Sequence, residues 1–328
     1  MVVRGLRSSP IIQPQVHIGS IAMRTTDQSA HVRLELSSRV ENALVVRQAL
    51  HGLADATGLA LADLNDIGTA VTEACNNASA HAYGDREGPL EVNLLARDAM
   101  IVVTVRDRGV GMALDGGEPV EFPSDVDGEL AGIGVPAIKA LARTARWREP
   151  TGGGTEVEMT FSTGSLTWDG AGSGPDVSRP FGAEPAWLDG AIEVGMAPVS
   201  IARDVLPRLM GVMAARAHFP FERHADVHRV GSAVLSADDW SWASSGIQAR
   251  LVAGSDSVEL AIGPISKETV CRLVVAVRAT EPELRVSADG LDGGPQRLAF
   301  HLERSPTLQR AGIRPTPYAP RARGHDHD

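Results

Sequence analysis

The tightest constraint on what this chain can fold into is a repeated switch of hydrophobic period between residues 31 and 163. HVRLEL at 31–36 alternates apolar and polar side chains, the period of a half-buried strand. From Ser37 to Leu53 the apolar residues Val40, Leu44, Val45, Ala49 and Leu53 fall at helical spacing instead. Gly58, inside ATGLALADL, stops this helix. A second runs from Ala62 to Ala82 with Leu64, Ile67, Ala70, Val71, Ala74 and Ala78 on one stripe. Period two returns in LEVNLLA from Leu90 and MIVVTVRD from Met100, with Arg97-Asp98 suited to a hairpin turn. VPAIKALARTA, from Val135, is helical again, and ARWRE and TEVEMTF close the pattern around Gly152–Gly154. Strand, two helices, two strands, helix, two strands is the order of a two-layer α/β sandwich, with helices covering a sheet.

At 328 residues the chain has room for a second core. The segment 164–185 (GSLTWDGAGSGPDVSRPFGAEP) is too rich in Gly, Ser, Pro and Asp to bury much apolar surface, so it is expected to be a flexible linker. A second domain then spans 186–304. Residues 1–30 and 305–328 are expected as a disordered arm and tail, with Met23 a candidate start. The formal net charge of −10 argues against a nucleic-acid binder, which needs a basic face to neutralise phosphates. The two cysteines, Cys75 and Cys271, cannot build a disulfide framework and suit a reducing compartment. No apolar run approaches the roughly 20 residues of a membrane helix, and the N-terminal stretch lacks the apolar core of a secretory signal. A cytoplasmic location is expected.

Chemistry concentrates in four places. In TEACNNASAHAYG, Glu73 and Asn77 stand four apart on the second helix and share one face. By themselves the two could simply occupy its solvated side. VRDRGVGM puts Asp107 at the end of an apolar strand, followed by Gly109 and Gly111. AGIGVPAIKAL sets Gly132 and Gly134 just before a helix, where backbone N–H groups and the helix N-terminus favour an anion such as phosphate. GGGTEVEMTF places Thr155 at the entry of the last strand. Any one of these is weak, since glycines also cap and turn.

Taken together and in order, Glu73…Asn77, Asp107-x-Gly109-x-Gly111, Gly132-x-Gly134 and Gly-Gly-Gly-Thr155 resemble the GHKL ATPase superfamily over residues 31–163. The closest branch is the small anti-sigma-factor serine kinases, whose signature helix E-A-x-x-N-A-x-x-H-x-Y matches Glu73, Ala74, Asn77, Ala78, His81 and Tyr83. The resemblance implies ATP and magnesium as cofactors. It implies Glu73 as general base and Asn77 as the Mg²⁺ ligand. Asp107 would anchor the adenine amino group, Gly109, Gly111 and Thr155 would shape the adenine side, and Gly132 and Gly134 would meet the phosphates. His81 and Tyr83 are expected to pack rather than react, and Cys75 to be a small buried residue.

The chain departs from this branch in its lid. Between Met112 and Gly132 it reads ALDGGEPVEFPSDVDGELA, acidic and without the Lys or Arg that such kinases carry near the γ-phosphate. The second half also repeats the order of the first. VGSAVLSA (Val230–Ala237) overlays IGTAVTEA (Ile67–Ala74), and the hairpin 247–265 echoes 90–110. In that overlay Ser236, Trp240 and Pro264 replace Glu73, Asn77 and Asp107. An unrelated α/β domain with generic amphipathic patterns is the alternative. The branch's kinases pair as homodimers that grip a sigma factor, so a degenerate copy would supply an internal pseudo-dimer. The expected function is a serine kinase that phosphorylates an anti-anti-sigma protein and sequesters a sigma factor. The alternative is a nucleotide-gated binder without kinase activity. A sensor histidine kinase fragment fits less well, because His31 sits in a strand and not on a helical hairpin, and gyrase-like ATPases carry transducer domains that have no counterpart here.

Overall fold

The computed structural model describes residues 29–112, 134–168, 190–224 with 227 and 230, 246–280, 284–290 and 296–303. The first half supplies strands β1 (Ser29–Ser37), β2 (Pro89–Arg97), β3 (Met100–Asp107), β4 (Thr144–Arg148) and β5 (Glu156–Ser162). It also supplies helices α1 (Asn42–Thr57), α2 (Leu61–His81) and α3 (Gly134–Leu141). The second half supplies β6 (Ile192–Ala197), α4 (Ala202–Arg216), β7 (Ile247–Ala253), β8 (Ser257–Ile265), α5 (Lys267–Thr280), β9 (Arg285–Gly290) and β10 (Gln296–Glu303). The strands form one antiparallel sheet in the order β4-β5-β3-β2-β1-β6-β7-β8-β10-β9.

Alternation decides which face each strand buries. In β1, Ala30, Val32, Leu34 and Leu36 are buried, while His31, Arg33 and Glu35 turn to the opposite face. On that opposite face Arg33 hydrogen-bonds Glu91 and Glu35 at 3.2 Å, and His31 meets Asn93. β2 and β3 repeat the alternation. α1 and α2 press Val45, Val46, Leu50, Leu53, Ile67 and Val71 into the same core. The helix stripe expected from the sequence needs one correction. Val40 is 66% exposed because it precedes α1, which starts at Asn42, and Leu44 is 51% exposed because it lies on the face of α1 turned away from the core.

The seam between the halves is β1 against β6, paired from His31↔Ala197 to Glu35↔Glu193. β6 is buried at every position, so it lacks the alternation of an exposed-face strand. Its buried Glu193 is held by Arg250 Nη1 at 2.8 Å. Above the seam α1 crosses α4 at Gly52, where a Cβ would lie 2.5 Å from Val205 Cα. Arg208 on α4 pairs with Asp55 on α1, and Arg216 on α4 donates to Asn42 Oδ1 at 2.7 Å.

Outward from the seam, β2-β3-β5-β4 on one side correspond to β7-β8-β10-β9 on the other. The two hairpins turn between Asp98 and Ala99 and between Ser255 and Asp256. Aligning those turns puts Pro264 where Asp107 stands, as the sequence overlay does. The counterpart of the lid is missing. Residues 108–133 lie between β3 and α3, whereas β8 is separated from α5 only by Ser266, whose Oγ accepts the Thr269 N–H at 3.2 Å as a cap. Ser236 and Trp240 lie outside the described residues. The opening of the segment expected as a linker packs against the first half. Thr167 N–H donates to Thr57 O at 3.0 Å, and Leu166 and Trp168 touch the core. Residues 169–185 of that segment, the 1–28 arm and the tail after 303 lie outside the described residues.

Candidate functional site

α2 carries the polar end of the site. Glu73 and Asn77 are half-buried, and α3 begins directly against them. A Cβ on Gly134 would lie 2.9 Å from both amide atoms of Asn77 and 3.1 Å from Glu73 Oε2. Only glycine brings the N-terminus of α3 this close to a carboxylate and a carboxamide. Glu73, Asn77 and Gly134, predicted from separate stretches of sequence, thus converge.

The second group gathers at the end of β3. Asp107 is 5% exposed. Its Oδ1 accepts the Gly109 N–H at 2.8 Å and the Thr155 N–H at 3.1 Å, and its own N–H donates to Thr155 O at 2.9 Å. Oδ2 takes no part in these bonds. Burial raises the Asp107 carboxyl above its ordinary value, and the bonds from Gly109 and Thr155 oppose that shift. A Cβ on Gly109 would fall 2.0 Å from Ala82 O, so the loop rides directly on the end of α2. Gly111, at φ +77°, packs beside Gly154 O and the Glu149 carboxyl. Gly132 lies outside the described residues, as does the lid.

Tyr83 ties the groups together. Its hydroxyl accepts the Arg108 N–H at 2.7 Å and donates to Pro89 O at 2.6 Å. The packing role expected for Tyr83 therefore includes two backbone hydrogen bonds. His81, expected to pack as well, is instead exposed at the end of α2, where the helix face turns outward. Cys75 is 1% exposed, and burial pushes its thiol up to about 12, so it is inert.

The residues present fit a nucleotide triphosphate. A carboxylate sits at a strand end, a helix N-terminus faces Glu73 and Asn77, and the neighbouring Asn76 has a buried Oδ1 with no hydrogen-bond partner among the described residues. Sequence reasoning passed over Asn76. Its signal was a third polar residue on the Glu73 face of α2, three positions on.

The fold and site together define an ATPase of the Bergerat type, and comparison with known proteins narrows the class. Residues 36–161 match the family of the histidine kinase-like ATPase domain. The chain is 33% identical to an anti-sigma F factor of Pasteuria penetrans over 131 residues, 39% of this chain and 87% of that protein. An anti-sigma F factor of Geobacillus thermodenitrificans (strain NG80-2) is 30% identical over 105 residues, 31% of this chain and 72% of that protein. The serine-protein kinase RsbW of Bacillus cereus (strain AH187) is 28% identical over 79 residues, 24% of this chain and 49% of that protein. The chain belongs to the histidine kinase-like ATPase family, in its anti-sigma-factor branch. Its first half is an ATP-binding domain of that family. Among the described residues no helix is long and apolar enough to cross a membrane.

Proposed function

We propose that the protein is an anti-sigma factor of the cytoplasm that sequesters a sigma factor and, as a serine kinase, phosphorylates its anti-anti-sigma antagonist. The observation that carries this reading is the convergence of Glu73 and Asn77 on the N-terminus of α3, with Asp107 at the end of β3. Asn77 Oδ1 is a hard oxygen suited to Mg²⁺, which when bound would neutralise charge on the phosphates. Asp107 Oδ2 accepts a hydrogen bond from the adenine amino group. Glu73 takes the proton from the attacking serine hydroxyl. The serine oxygen bonds the γ-phosphorus as the bond from that phosphorus to the bridging oxygen breaks, and ADP leaves.

The second half, on this reading, is a degenerate duplicate of the first. The β1–β6 seam makes the single chain an internal pseudo-dimer with one working nucleotide site. Support comes from the mirrored strand order, from Pro264 at the Asp107 position and from the direct step between β8 and α5.

A second reading, a nucleotide-gated partner binder without transfer, is favoured by the lid sequence. It has no Lys or Arg between Met112 and Gly132 to stabilise the transferring phosphoryl group. One experiment separates the two. The protein is incubated with Mg-ATP labelled at the γ-phosphate and candidate antagonist proteins, comparing wild type with Glu73→Ala. Label on a partner serine that disappears with Glu73→Ala establishes the kinase. No transfer, together with calorimetric ATP binding that Asp107→Ala abolishes, establishes the binder. Absence of ATP binding by the wild-type protein refutes both.

A further inference from the structure

We propose that Arg216, on the second half, is a positioning residue for the adenine end of the nucleotide site in the first half. The inference rests on the nucleotide-binding reading above. A continuous run of hydrogen bonds and packed contacts, buried at its middle and exposed at Glu41 and Arg108, links the two. Arg216 Nη2 donates to Asn42 Oδ1 at 2.7 Å and to Glu41 O at 3.0 Å. Asn42 is 3% exposed, and its Nδ2 donates to Ser37 O at 2.7 Å and Ser37 Oγ at 3.1 Å. The guanidinium therefore fixes which way the Asn42 amide faces. A flipped amide would set its NH₂ against the guanidinium and its Oδ1 against Ser37 O, losing that bond.

Ser38, the next residue, is clamped to Gly88 from both sides. Its N–H donates to Gly88 O at 2.8 Å, and its Oγ accepts the Gly88 N–H at 3.1 Å. Gly88 lies flat on the Tyr83 ring, where a Cβ would fall 2.2 Å from Tyr83 Cε1. Pro89 O then takes the Tyr83 hydroxyl, and that hydroxyl takes the N–H of Arg108, the residue after Asp107. The links are hydrogen bonds and packed contacts joined by neighbouring residues of the chain. A movement of the β1–α1 corner is transmitted to the strand end that presents Asp107 Oδ2.

Burial lowers the Arg216 guanidinium from its ordinary value, so the side chain is held in place against a desolvation cost. Arg208 provides the contrast. It also joins α4 to α1, through Asp55, but ends at an exposed carboxylate with no onward hydrogen bond among the described residues.

The test is calorimetric titration of the full chain with ATP and, separately, with inorganic tripolyphosphate. Arg216→Met is expected to weaken ATP binding by about three- to tenfold, within the range typical of long-range coupling. Tripolyphosphate, which has no base to read, is expected to bind unchanged. Arg216→Lys, which keeps a donor, is expected to restore ATP affinity, and Arg208→Met to leave it unchanged. Tyr83→Phe breaks the same run further along, so its effect combined with Arg216→Met is expected to fall short of the product of the two. Should Arg216→Met fail to fold, Arg216→Gln is titrated in its place. The inference is overturned if the folded Arg216 variant binds ATP within twofold of wild type, if Arg208→Met costs as much, or if the double variant is simply multiplicative. Wild-type protein that binds no ATP would instead refute the nucleotide reading itself.

Discussion

Replacing Gly52 with alanine sets two effects of opposite sign against each other. Inside a helix, glycine-to-alanine substitution ordinarily stabilises by about 0.5–1 kcal/mol, because alanine has less backbone freedom to lose on folding. At Gly52 the added methyl would lie 2.5 Å from Val205 Cα and 2.8 Å from Asp204 O. Ordinary carbon contact is about 3.5–4.0 Å, so α1 and α4 would have to part by about an ångström. Both obstacles are backbone atoms and cannot rotate aside. Overpacking of this kind costs about 1–3 kcal/mol, and parting the helices also stretches the Arg216–Asn42 bond. With both contacts on backbone and below 3.0 Å the cost falls in the upper part of that range, about 2–3 kcal/mol, so the steric effect wins with a net loss of about 1–2 kcal/mol. One kcal/mol moves the melting temperature of a chain of this order by about 2–4 °C, so scanning calorimetry should show a drop of roughly 2–8 °C. Gly68 in α2 is the matched control, since its added methyl meets only Leu50 Cδ2 at 3.8 Å, an ordinary contact. Gly68→Ala should therefore raise the melting temperature by a few degrees, about 1–4 °C. If Gly52→Ala raises it as well, the close crossing of α1 over α4 is wrong, and the joining of the two halves with it.

Two further outcomes follow from burial. Burial lowers the His31 imidazole from its ordinary value of 6.5, against the hydrogen bond it makes to Asn93 Oδ1. Protonation therefore disfavours the fold: stability is complete above 6.5 and declines as pH falls through the lowered value. His31→Asn should flatten that part of the melting-temperature profile, and an unchanged slope would clear His31 of the effect. In thiol labelling of the native protein at mildly alkaline pH, the exposed Cys271 should react fully and Cys75 only after unfolding. Fast labelling of Cys75 would mean that the α2 core opens readily.

The first half was legible because each of its elements has a period of its own. β1 through β3 alternate on one buried face, and α2 keeps a clean apolar stripe that leaves Glu73 and Asn77 on the other side. Asp107 was legible for a similar reason, as a carboxylate ending an apolar strand. β6 was not, because both its faces are buried and IEVGMA shows no alternation to find. Val40 misled because helical spacing cannot tell where a helix starts, and Leu44 because spacing alone does not say which side of the first turn meets the core. The roles of Arg216 and Tyr83 depend on residues as far apart as Asn42 and Arg108, contacts that only the folded chain brings together.

The β1–β6 seam joins strands carried by one covalent chain. Two separate chains meeting edge to edge would associate to a degree set by their copy number, and dilution would pull them apart. Here the encounter is intramolecular, and its extent is the same for one molecule as for thousands. The ten-strand sheet is thus indifferent to expression level. A cell holding only a few copies has the fully assembled platform from the moment each chain folds, and the dose of protein changes the number of platforms without changing their state.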